Sequence, residues 1–382
     1  MIRRPPRSTP SNSSAASDVY KRQQGVGGIL QTIPSGMPAG SAVANLSILG
    51  YDPKVYFTGR APLEAASLGI QLKPYQIGYR CNLITQERGI LKDYSAGHIS
   101  TQEANKLIEL LNRKLGDEKI RFYPGVSYRH LLVINDIGAD LKTYPPHDIM
   151  GQKIKKYLPS GDGEDLIRGL MFASQNILEK TTINRKREKA GLNPANMIWL
   201  WGSGKATEYP SLKSLYQISG ALISAVDLIK GIGVLAGLKI IEVPGATGYL
   251  DTNYQGKAEY ALKALEEVDL VYLHVEAPDE AAHNGNLKEK IKAIENFDYL
   301  VVGTILKGIS AFKYDKILVL PDHYTPLKLR THSWEPVPFA IYTSRQTLKP
   351  DRMSAFNEKP VSYTHLRAHE TSLHLVCRLL LE

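Results

Sequence analysis

The sequence predicts an α/β protein with a mostly parallel sheet flanked by helices, into which a smaller α+β domain is inserted. Short apolar runs alternate with segments of helical periodicity, which is typical of parallel sheets with helical crossovers. Residues 72–193 are richer in charge and in turn-forming residues than the chain on either side. Acidic and imidazole side chains follow two of the apolar runs, where functional groups gather at the carboxyl ends of parallel strands.

Six apolar runs are candidate strands, and helices fit between them. The runs are HLLVI (130–134), MIWLW (197–201), KIIEV (239–243), LVYLHV (270–275), KILVL (316–320) and PFAIY (338–342). Their spacing leaves room for helices at 256–267 and 287–305. We therefore expect residues 24–71 and 194–359 to form one discontinuous domain and residues 72–193 to form the insert.

Composition restricts the classes of function. The 382 residues are 43% hydrophobic and 22% charged, as in ordinary globular proteins. No apolar run approaches the roughly 18 residues that span a bilayer. Two cysteines, Cys81 and Cys377, are too few for a disulfide framework, so we expect a cytoplasmic location. The net charge of +9 fits a solvated basic surface or a small anionic substrate, and no basic stripe with interleaved aromatic residues indicates nucleic acid.

The two ends of the chain differ from its middle. Residues 1–23 are rich in Arg, Pro and Ser and have no hydrophobic period, which predicts a disordered or non-native tail. Residues 360–382 carry three of the ten histidines and are given the same interpretation.

The stretch LHVEAPDEAAHNGN (273–286) contains a candidate metal-binding pair. Asp279 and His283 lie four residues apart, so a helix would place both side chains on one face. A carboxylate and an imidazole at that spacing can bind one divalent cation. Alone, the pair could also be an ordinary helix start with an exposed histidine.

A second acid and imidazole pair follows the run KILVL. Asp322 and His323 follow it after a single proline, Pro321, and His332 lies nine residues after His323. Alone, the pair could be a capping acid beside a surface histidine, and His332 could be a structural histidine. Because these residues and the first pair follow two apolar runs of one predicted sheet, together they predict a metal centre.

A tight loop, PSGMPAG (34–40), precedes Ser41 and an apolar helical pattern. Ser41 could be an N-cap, since serine is favoured there. It could also be a nucleophile, because a hydroxyl at this point meets free backbone N–H groups and the positive end of the helix dipole. A bound metal would help to deprotonate it.

Eight stretches carry a more specific signal. They are GMPAGSAVANLSILGYDP (36–53), YFTGRAPLEA (56–65), RCNL (80–83), YPGVSYRHLLV (123–133), NMIWLWGSGKA (196–206), PGATGYLDTNYQGKAEYAL (244–262), HVEAPDEAAHNGN (274–286) and DHYTPLKLRTHSWEPVPF (322–339). Together they resemble the archaeal-type, 2,3-bisphosphoglycerate-independent (cofactor-independent) phosphoglycerate mutases of the alkaline phosphatase superfamily. The resemblance covers residues 24–354.

The resemblance implies an alkaline-phosphatase-like domain with a lid-like insert and a phosphoserine mechanism. On that pattern Ser41 accepts the phosphoryl group of 3-phosphoglycerate and returns it to give 2-phosphoglycerate, without 2,3-bisphosphoglycerate. It implies two divalent cations, with manganese expected and magnesium, cobalt or zinc as alternatives. One cation would be bound by Asp279, His283 and His332; the second by Asp322 and His323, beside Ser41.

Four basic residues within the family-like stretches are candidate substrate ligands: Arg60, Arg80, Arg129 and Lys257. They suit a substrate with a phosphate and a carboxylate, because a guanidinium can bind either group through two hydrogen bonds. Each could instead be a surface cation or a member of a structural ion pair.

The chain departs from the family pattern in two places. The family begins with a buried strand ending in Asp-Gly, whose aspartate binds the second metal, and no such strand precedes Gln24. The acid that usually follows the serine is replaced by Ala42. We therefore expect a weakened second metal site and little activity. We also expect an edge beside 270–275 or 316–320 that is unpaired or paired with a tail.

Two other functions remain open from the sequence. A homoserine-kinase-like member of the same family would share the serine and the metals but require ATP, and there is no GxxxxGK[ST] phosphate loop in its support. A non-catalytic metal-binding protein is the second. The sequence does not determine the oligomeric state.

Overall fold

The structure is a computed structural model that describes residues 25–135, 141–312, 316–343 and 365–367. The strands are β1 (Gly25–Gln31), β2 (Gln76–Glu87), β3 (Ile90–Asp93), β4 (Ile120–Val126), β5 (Arg129–Asn135), β6 (Leu141–Lys142), β7 (Ser160–Gly161), β8 (Met197–Lys205), β9 (Gly220–Ile223), β10 (Lys239–Ile240), β11 (Leu270–Leu273), β12 (Lys316–Val319), β13 (Val337–Thr343) and β14 (His365–Arg367).

The α-helices are α1 (Ser41–Ile48), α2 (Pro53–Tyr56), α3 (Arg60–Ser67), α4 (Thr101–Leu115), α5 (Glu164–Leu178), α6 (Thr182–Lys189), α7 (Leu212–Tyr216), α8 (Asp227–Leu235), α9 (Tyr254–Ala264), α10 (Ala277–His283), α11 (Leu287–Asn296) and α12 (Gly303–Gly308). A π-helical segment, Phe297–Val302, joins α11 to α12, so the helix predicted at 287–305 is interrupted. No helix among the residues described above is long and apolar enough to cross a bilayer.

The chain forms two compact units. Of the described residues, unit 1 contains those up to Val55, Pro210–Ile229 and those from Ala236 onward. Unit 2 contains Tyr56–Tyr209 and Lys230–Leu235. The region 72–193, predicted as the insert, lies within unit 2, which also takes in α3 and β8.

Unit 2 is built around the long strand β2. The strand order is β3-β2-β5-β4, β8 also pairs with β2, and all of these pairs are antiparallel. Residues 77–86 of β2 are all buried. One side of the sheet packs on α4 and α5, and the other on Ala61 and Ala65 of α3. The apolar runs 130–134 and 197–201 are thus strands, but of an antiparallel sheet.

The described part of unit 1 contains two small sheets, with strand orders β12-β13-β1-β14 and β10-β9-β11. β9 pairs in parallel with β10 and β11, whereas β13 is antiparallel to β12 and to β1. The mixed α/β class is confirmed, and the single mostly parallel sheet is not. The reason is the connection between β12 and β13, which contains no helix and therefore need not return the chain in the parallel direction.

Strand edges and boundaries also differ in detail from the predictions. Among the described residues, β11 and β12 stand at the ends of their sheets. β14, which lies within the predicted tail 360–382, pairs with Ile29–Gln31 of β1 rather than with either of them. The glycine-rich β1 was not predicted, and the run 239–243 forms a strand only at Lys239–Ile240. The tail 1–23 lies outside the described residues.

Candidate active site and metal centre

Ser41 is the first residue of α1, after a glycine that no other residue could replace without strain. Gly40 has φ +152°, and a Cβ built on it would lie 3.2 Å from Nδ1 of His332. Ser41 Oγ lies 2.9 Å from Nε2 of His323. The loop and helix start therefore place the hydroxyl against the imidazole of the Asp322–His323 pair.

Asp279 and His283 lie one turn apart on α10, which begins after β11, as the four-residue spacing predicts. Nε2 of His283 is 3.2 Å from Oδ2 of Asp279. Nδ1 of His283 lies 2.9 Å from the carbonyl oxygen of Arg330, to which it can donate. In the neutral ring that hydrogen bond leaves the lone pair of Nε2 free to bind a cation.

His332 joins the two pairs. Its Nε2 lies 3.0 Å from Nε2 of His283 and 3.5 Å from Oδ1 of Asp279. Its ring centroid is 4.1 Å from that of His323. Ligand atoms of Asp279, His323 and His332 all lie within 4.8 Å of one another. The structure thus brings the predicted acids and imidazoles into one cluster in unit 1, with His332 between its two parts.

Asp322 is held by hydrogen bonds to both carboxylate oxygens. Oδ1 accepts from the backbone N–H of His323 at 3.0 Å, and Oδ2 accepts from Nδ2 of Asn45 at 2.9 Å. Its backbone oxygen accepts from the hydroxyl of Thr32 at 2.6 Å. The carboxylate therefore has a fixed orientation beside Ser41.

The cluster keeps both aspartates ionised. Burial alone would raise the pKa of Asp279, but hydrogen bonds from His283 and His332 hold it well below its usual range. Burial opposes ionisation of Asp322 in the same way, and the neighbouring His323 and His274 hold its pKa low. The hydrogen bond to Asp279 raises the pKa of His283 to about 9, whereas burial lowers the pKa of His323.

This donor set fits divalent cations. It combines carboxylate oxygens with imidazole nitrogens, which are the ligands of manganese, zinc and similar metals. Two imidazole Nε2 atoms face each other across 3.0 Å, next to a carboxylate. A shared cation satisfies such facing lone pairs without requiring that a histidine be protonated. Residues Asp279, His283 and His332 could hold one ion, and Asp322 with His323 could contribute to another.

Sequence reasoning missed several buried or half-buried polar residues next to the cluster. Thr325 donates from its hydroxyl to Asp279, and Tyr272 donates to Asn45. Nε2 of His274 lies 3.7 Å from Oδ2 of Asp322, and Nδ1 lies 3.6 Å from Glu276. Burial raises the pKa of Glu276 to about 7. The one usable signal was the position of His274 within the apolar run 270–275 and of Glu276 directly after it.

Lys257 is also in unit 1, but its side chain is buried next to the end of β11. Only 1% of it is exposed, and its ammonium donates to the carbonyl oxygen of His274 at 3.3 Å. Burial lowers its pKa to about 8. Its role as a substrate ligand stays a prediction.

The three predicted arginines form a cluster in unit 2. Arg80 and Arg129 lie on paired strands, and the register of Arg80 with Leu131 places both on one face of the sheet. The guanidinium carbons of Arg80 and Arg60 lie 4.1 Å and 5.6 Å from the centroid of the Trp201 ring. Nε of Arg80 donates to Glu64 at 2.8 Å.

The arginine cluster is electrostatically strained. Burial lowers the pKa of Arg80 to about 10. The carboxylate of Glu64 raises this pKa, and the positive charges of Arg60 and Arg129 lower it further. Nε of Arg60 is buried and has no hydrogen-bond partner among the described residues. Three cations with one carboxylate between them are a surface that an anion would stabilise.

Comparison with known proteins gives the family. A family model described as 2,3-bisphosphoglycerate-independent phosphoglycerate mutase matches residues 23–184. The protein of that name from Methanosarcina acetivorans is 53% identical over 355 residues, covering 92% of this chain and 88% of that protein. One from Methanothermobacter thermautotrophicus is 54% identical over 336 residues, covering 87% of this chain and 82% of that protein.

Solved structures agree with the fold. A protein from Pyrococcus horikoshii superposes with a TM-score of 0.74 at 26% identity, covering 96% of this chain and 91% of that one. A cofactor-independent phosphoglycerate mutase from Thermoplasma acidophilum gives 0.61 at 24% identity over the same shares of the two chains. From the sequence relatives above, the chain belongs to the family of 2,3-bisphosphoglycerate-independent phosphoglycerate mutases.

Proposed function

We propose that this protein interconverts 3-phosphoglycerate and 2-phosphoglycerate without 2,3-bisphosphoglycerate, and that Ser41 carries the phosphoryl group between the two steps. The observation that supports this most directly is the position of the Ser41 hydroxyl at the start of α1, 2.9 Å from His323 and within the acid and imidazole cluster. Relatives that are 53% and 54% identical are named as this mutase.

The proposed reaction has two transfers at one phosphorus atom. Oγ of Ser41 attacks the phosphorus of 3-phosphoglycerate, and the bond between phosphorus and the 3-oxygen breaks. Ser41 loses its hydroxyl proton, and the leaving 3-oxygen gains one. The bound glycerate reorients, and its 2-oxygen then attacks the phosphoserine. The bond between phosphorus and Oγ of Ser41 breaks, the serine oxygen regains a proton in exchange for the one that the 2-hydroxyl loses, and 2-phosphoglycerate is formed. Dividing the reaction in this way is nucleophilic catalysis, and the N–H groups at the start of α1 favour the negative phosphoryl oxygens.

Asp279, His283 and His332 would hold one divalent cation, and Asp322 and His323, beside Ser41, would hold the second. Manganese is the expected metal, with magnesium, cobalt and zinc as alternatives. When bound, the two cations would supply positive charge to the phosphoryl oxygens and lower the pKa of the serine hydroxyl. The chain itself orients the ligands through Asn45, Thr325 and the carbonyl oxygen of Arg330.

We assign the arginine cluster of unit 2 to the substrate's anionic groups. Nε of Arg80 is used by Glu64, so its terminal amino groups can bind a carboxylate or phosphate in the bidentate manner. The buried Nε of Arg60 is a second donor that such an anion would satisfy. The substrate is thus a small phosphorylated acid rather than nucleic acid, and we keep a cytoplasmic location as a prediction.

The homoserine-kinase-like alternative is not favoured, because the similar proteins reported above carry the mutase name. A direct assay separates the candidates. The protein is incubated with Mn²⁺ and 3-phosphoglycerate, without 2,3-bisphosphoglycerate, and 2-phosphoglycerate is followed by phosphorus NMR. Parallel samples contain a chelator, or homoserine with ATP. The assay uses excess Mn²⁺ and long incubation, so that weak metal binding or slow turnover would not hide a product.

We expect chelator-sensitive formation of 2-phosphoglycerate and no phosphohomoserine. Formation of phosphohomoserine would overturn the mutase in favour of the kinase. Metal binding without either product, even after long incubation, would favour the non-catalytic alternative.

A further inference from the structure

We propose that Asn45 and Tyr272 are positioning residues that hold Ser41 and Asp322 in a fixed mutual arrangement, an inference that rests on the proposed function. Neither residue has a group that the reaction consumes. Asn45 is fully buried and Tyr272 is half-buried where the start of α1 meets the carboxyl ends of β11 and β12, and they connect the proposed nucleophile to a proposed metal ligand.

Asn45 joins the two through its single amide nitrogen. It lies one turn after Ser41 on α1 and is completely buried. Nδ2 donates to Oδ2 of Asp322 at 2.9 Å and to the backbone oxygen of Ser41 at 2.8 Å. An amide nitrogen has two N–H groups, so both are used. Any movement of the Asp322 carboxylate relative to the first turn of α1 must break one of these bonds.

Tyr272 holds the amide of Asn45 from its other side. It lies on β11, and its hydroxyl donates to Oδ1 of Asn45. The oxygens of Asp322 and Ser41 set the orientation of the amide, because a turned-over amide would place its own oxygen against both of them. The tyrosine hydroxyl then bonds to the amide oxygen and limits its movement. A buried amide with its donors and acceptor matched in this way resists rotation.

The consequence is a carboxylate with little freedom of its own. Oδ1 of Asp322 is bonded to the backbone N–H of His323, and Oδ2 is bonded to Asn45. The lone pairs that remain on the carboxylate are thus aimed in fixed directions beside the Ser41 hydroxyl. Removal of such a supporting hydrogen bond to a metal ligand costs about 10- to 100-fold in metal affinity or activity.

The decisive variant is Tyr272→Phe, and Tyr51→Phe is its matched control. Tyr51 is a buried tyrosine of unit 1, 1% exposed, whose hydroxyl donates to the carbonyl oxygen of Pro210 at 2.8 Å. Each variant removes one tyrosine hydroxyl and its part-buried hydrogen bond. Mn²⁺ binding is followed by calorimetry, and kcat and KM are measured for 3-phosphoglycerate.

We expect Tyr272→Phe to weaken the lower-affinity Mn²⁺ site and to lower kcat, each by about 10-fold or more, with KM within about twofold of wild type. Tyr51→Phe should leave all three values within about twofold, although both variants lose thermal stability. Asn45→Asp, which places a carboxylate against Asp322, should have the larger effect. If Asn45→Asp does not fold, Tyr272→Phe still decides the question.

The positioning role of Asn45 and Tyr272 is overturned if wild type binds Mn²⁺ and turns over substrate while Tyr272→Phe behaves like Tyr51→Phe. A wild-type protein that binds no Mn²⁺ and forms no 2-phosphoglycerate overturns the proposed function, and the positioning role with it. The two failures are therefore told apart by the wild-type sample alone.

Discussion

Unit 1 and unit 2 gather their functional side chains by different means. In unit 2, Arg80 and Arg129 lie on neighbouring antiparallel strands, and the strand register alone places them on one face. In unit 1, Ser41, Asp279 and Asp322 come from three segments that are far apart in the sequence. They meet only because separate strands and helices end at the same place.

The apolar cores of the two units also differ. The sheet of unit 2 lies against one large core in which Cys81, Leu83 and Trp199 are fully buried. The core of unit 1 is divided into several small clusters, and all four residues of β11 are only half-buried. We infer that packing supports the arginine cluster, whereas hydrogen bonds between side chains support the candidate metal centre. Single polar substitutions should therefore have larger functional effects in unit 1.

The largest effect is expected from Ser41→Ala. Loss of the nucleophile should lower kcat by about a thousandfold or more, because the proposed covalent intermediate forms on this hydroxyl. Ser47→Ala is the control, since Ser47 lies on the same helix, is buried, and has a hydroxyl without a hydrogen-bond partner among the described residues. It should retain near-wild-type turnover. If Ser41→Ala kept substantial activity, a different group would have to carry the phosphoryl.

A smaller effect is expected from Arg80→Lys in unit 2. A lysine cannot reproduce the bidentate hydrogen bonds or the stacking on Trp201, so KM for 3-phosphoglycerate should rise by about 10-fold or more. Arg168→Lys serves as the control, because Arg168 also pairs with a carboxylate, Glu164 at 2.7 Å, but is half-exposed. Steady-state kinetics compare the two. An unchanged KM in Arg80→Lys would remove the arginine cluster from substrate binding.

Acid should destabilise unit 2 through His130. Burial lowers the pKa of this residue to about 3, so between pH 6.5 and 3 the unfolded state binds more protons than the folded state. His130 therefore leaves the free energy of unfolding of unit 2 unchanged above about pH 6.5. Below that pH it lowers this free energy by about 1.4 kcal/mol per pH unit. At pH 5 the loss should be about 2 kcal/mol.

His130→Asn tests this dependence, because the asparagine side chain does not titrate. Its Oδ1 can still accept from the N–H of Gly125, as Nδ1 of His130 does at 3.0 Å. Urea unfolding is followed by tryptophan fluorescence, to which Trp199 and Trp201 of unit 2 contribute. The variant should lose less stability than wild type between pH 7 and pH 5. His98→Asn, at an exposed histidine of the same unit, should keep the wild-type slope. Parallel slopes for wild type and His130→Asn would contradict the assignment.

The smallest effect is expected from helix caps, and it tests whether the two units unfold separately. Ser100 caps α4 by accepting from the N–H of Glu103, and Ser211 caps α7 by accepting from the N–H of Ser214 at 3.1 Å. Ser100→Ala and Ser211→Ala should each cost about 1 kcal/mol. Calorimetry should show the first loss only in the transition of unit 2 and the second only in that of unit 1. A single transition that shifts equally in both variants would show that the units unfold together.

Local pattern accounts for much of what the structure shows. The four-residue spacing of Asp279 and His283 predicted their shared helix face, because helix geometry depends only on neighbouring residues. The apolar runs at 130–134, 197–201, 270–275, 316–320 and 338–342 predicted strands, because burial of a short apolar segment is a local requirement. The acids and imidazoles of the cluster were predicted from their positions in the segments that follow two of these runs, and the family resemblance added Ser41 as the nucleophile.

Long-range pairing accounts for the rest. The direction of β13, the antiparallel setting of β8 and the pairing of β1 depend on which strand lies alongside, and apolar runs alone do not specify a partner. Asn45 and Tyr272 carry no motif, since an asparagine inside a helix and a tyrosine on a strand are ordinary. Their roles arise from hydrogen bonds that join segments more than 220 residues apart in sequence, formed only when α1, β11 and the residues after β12 are packed together.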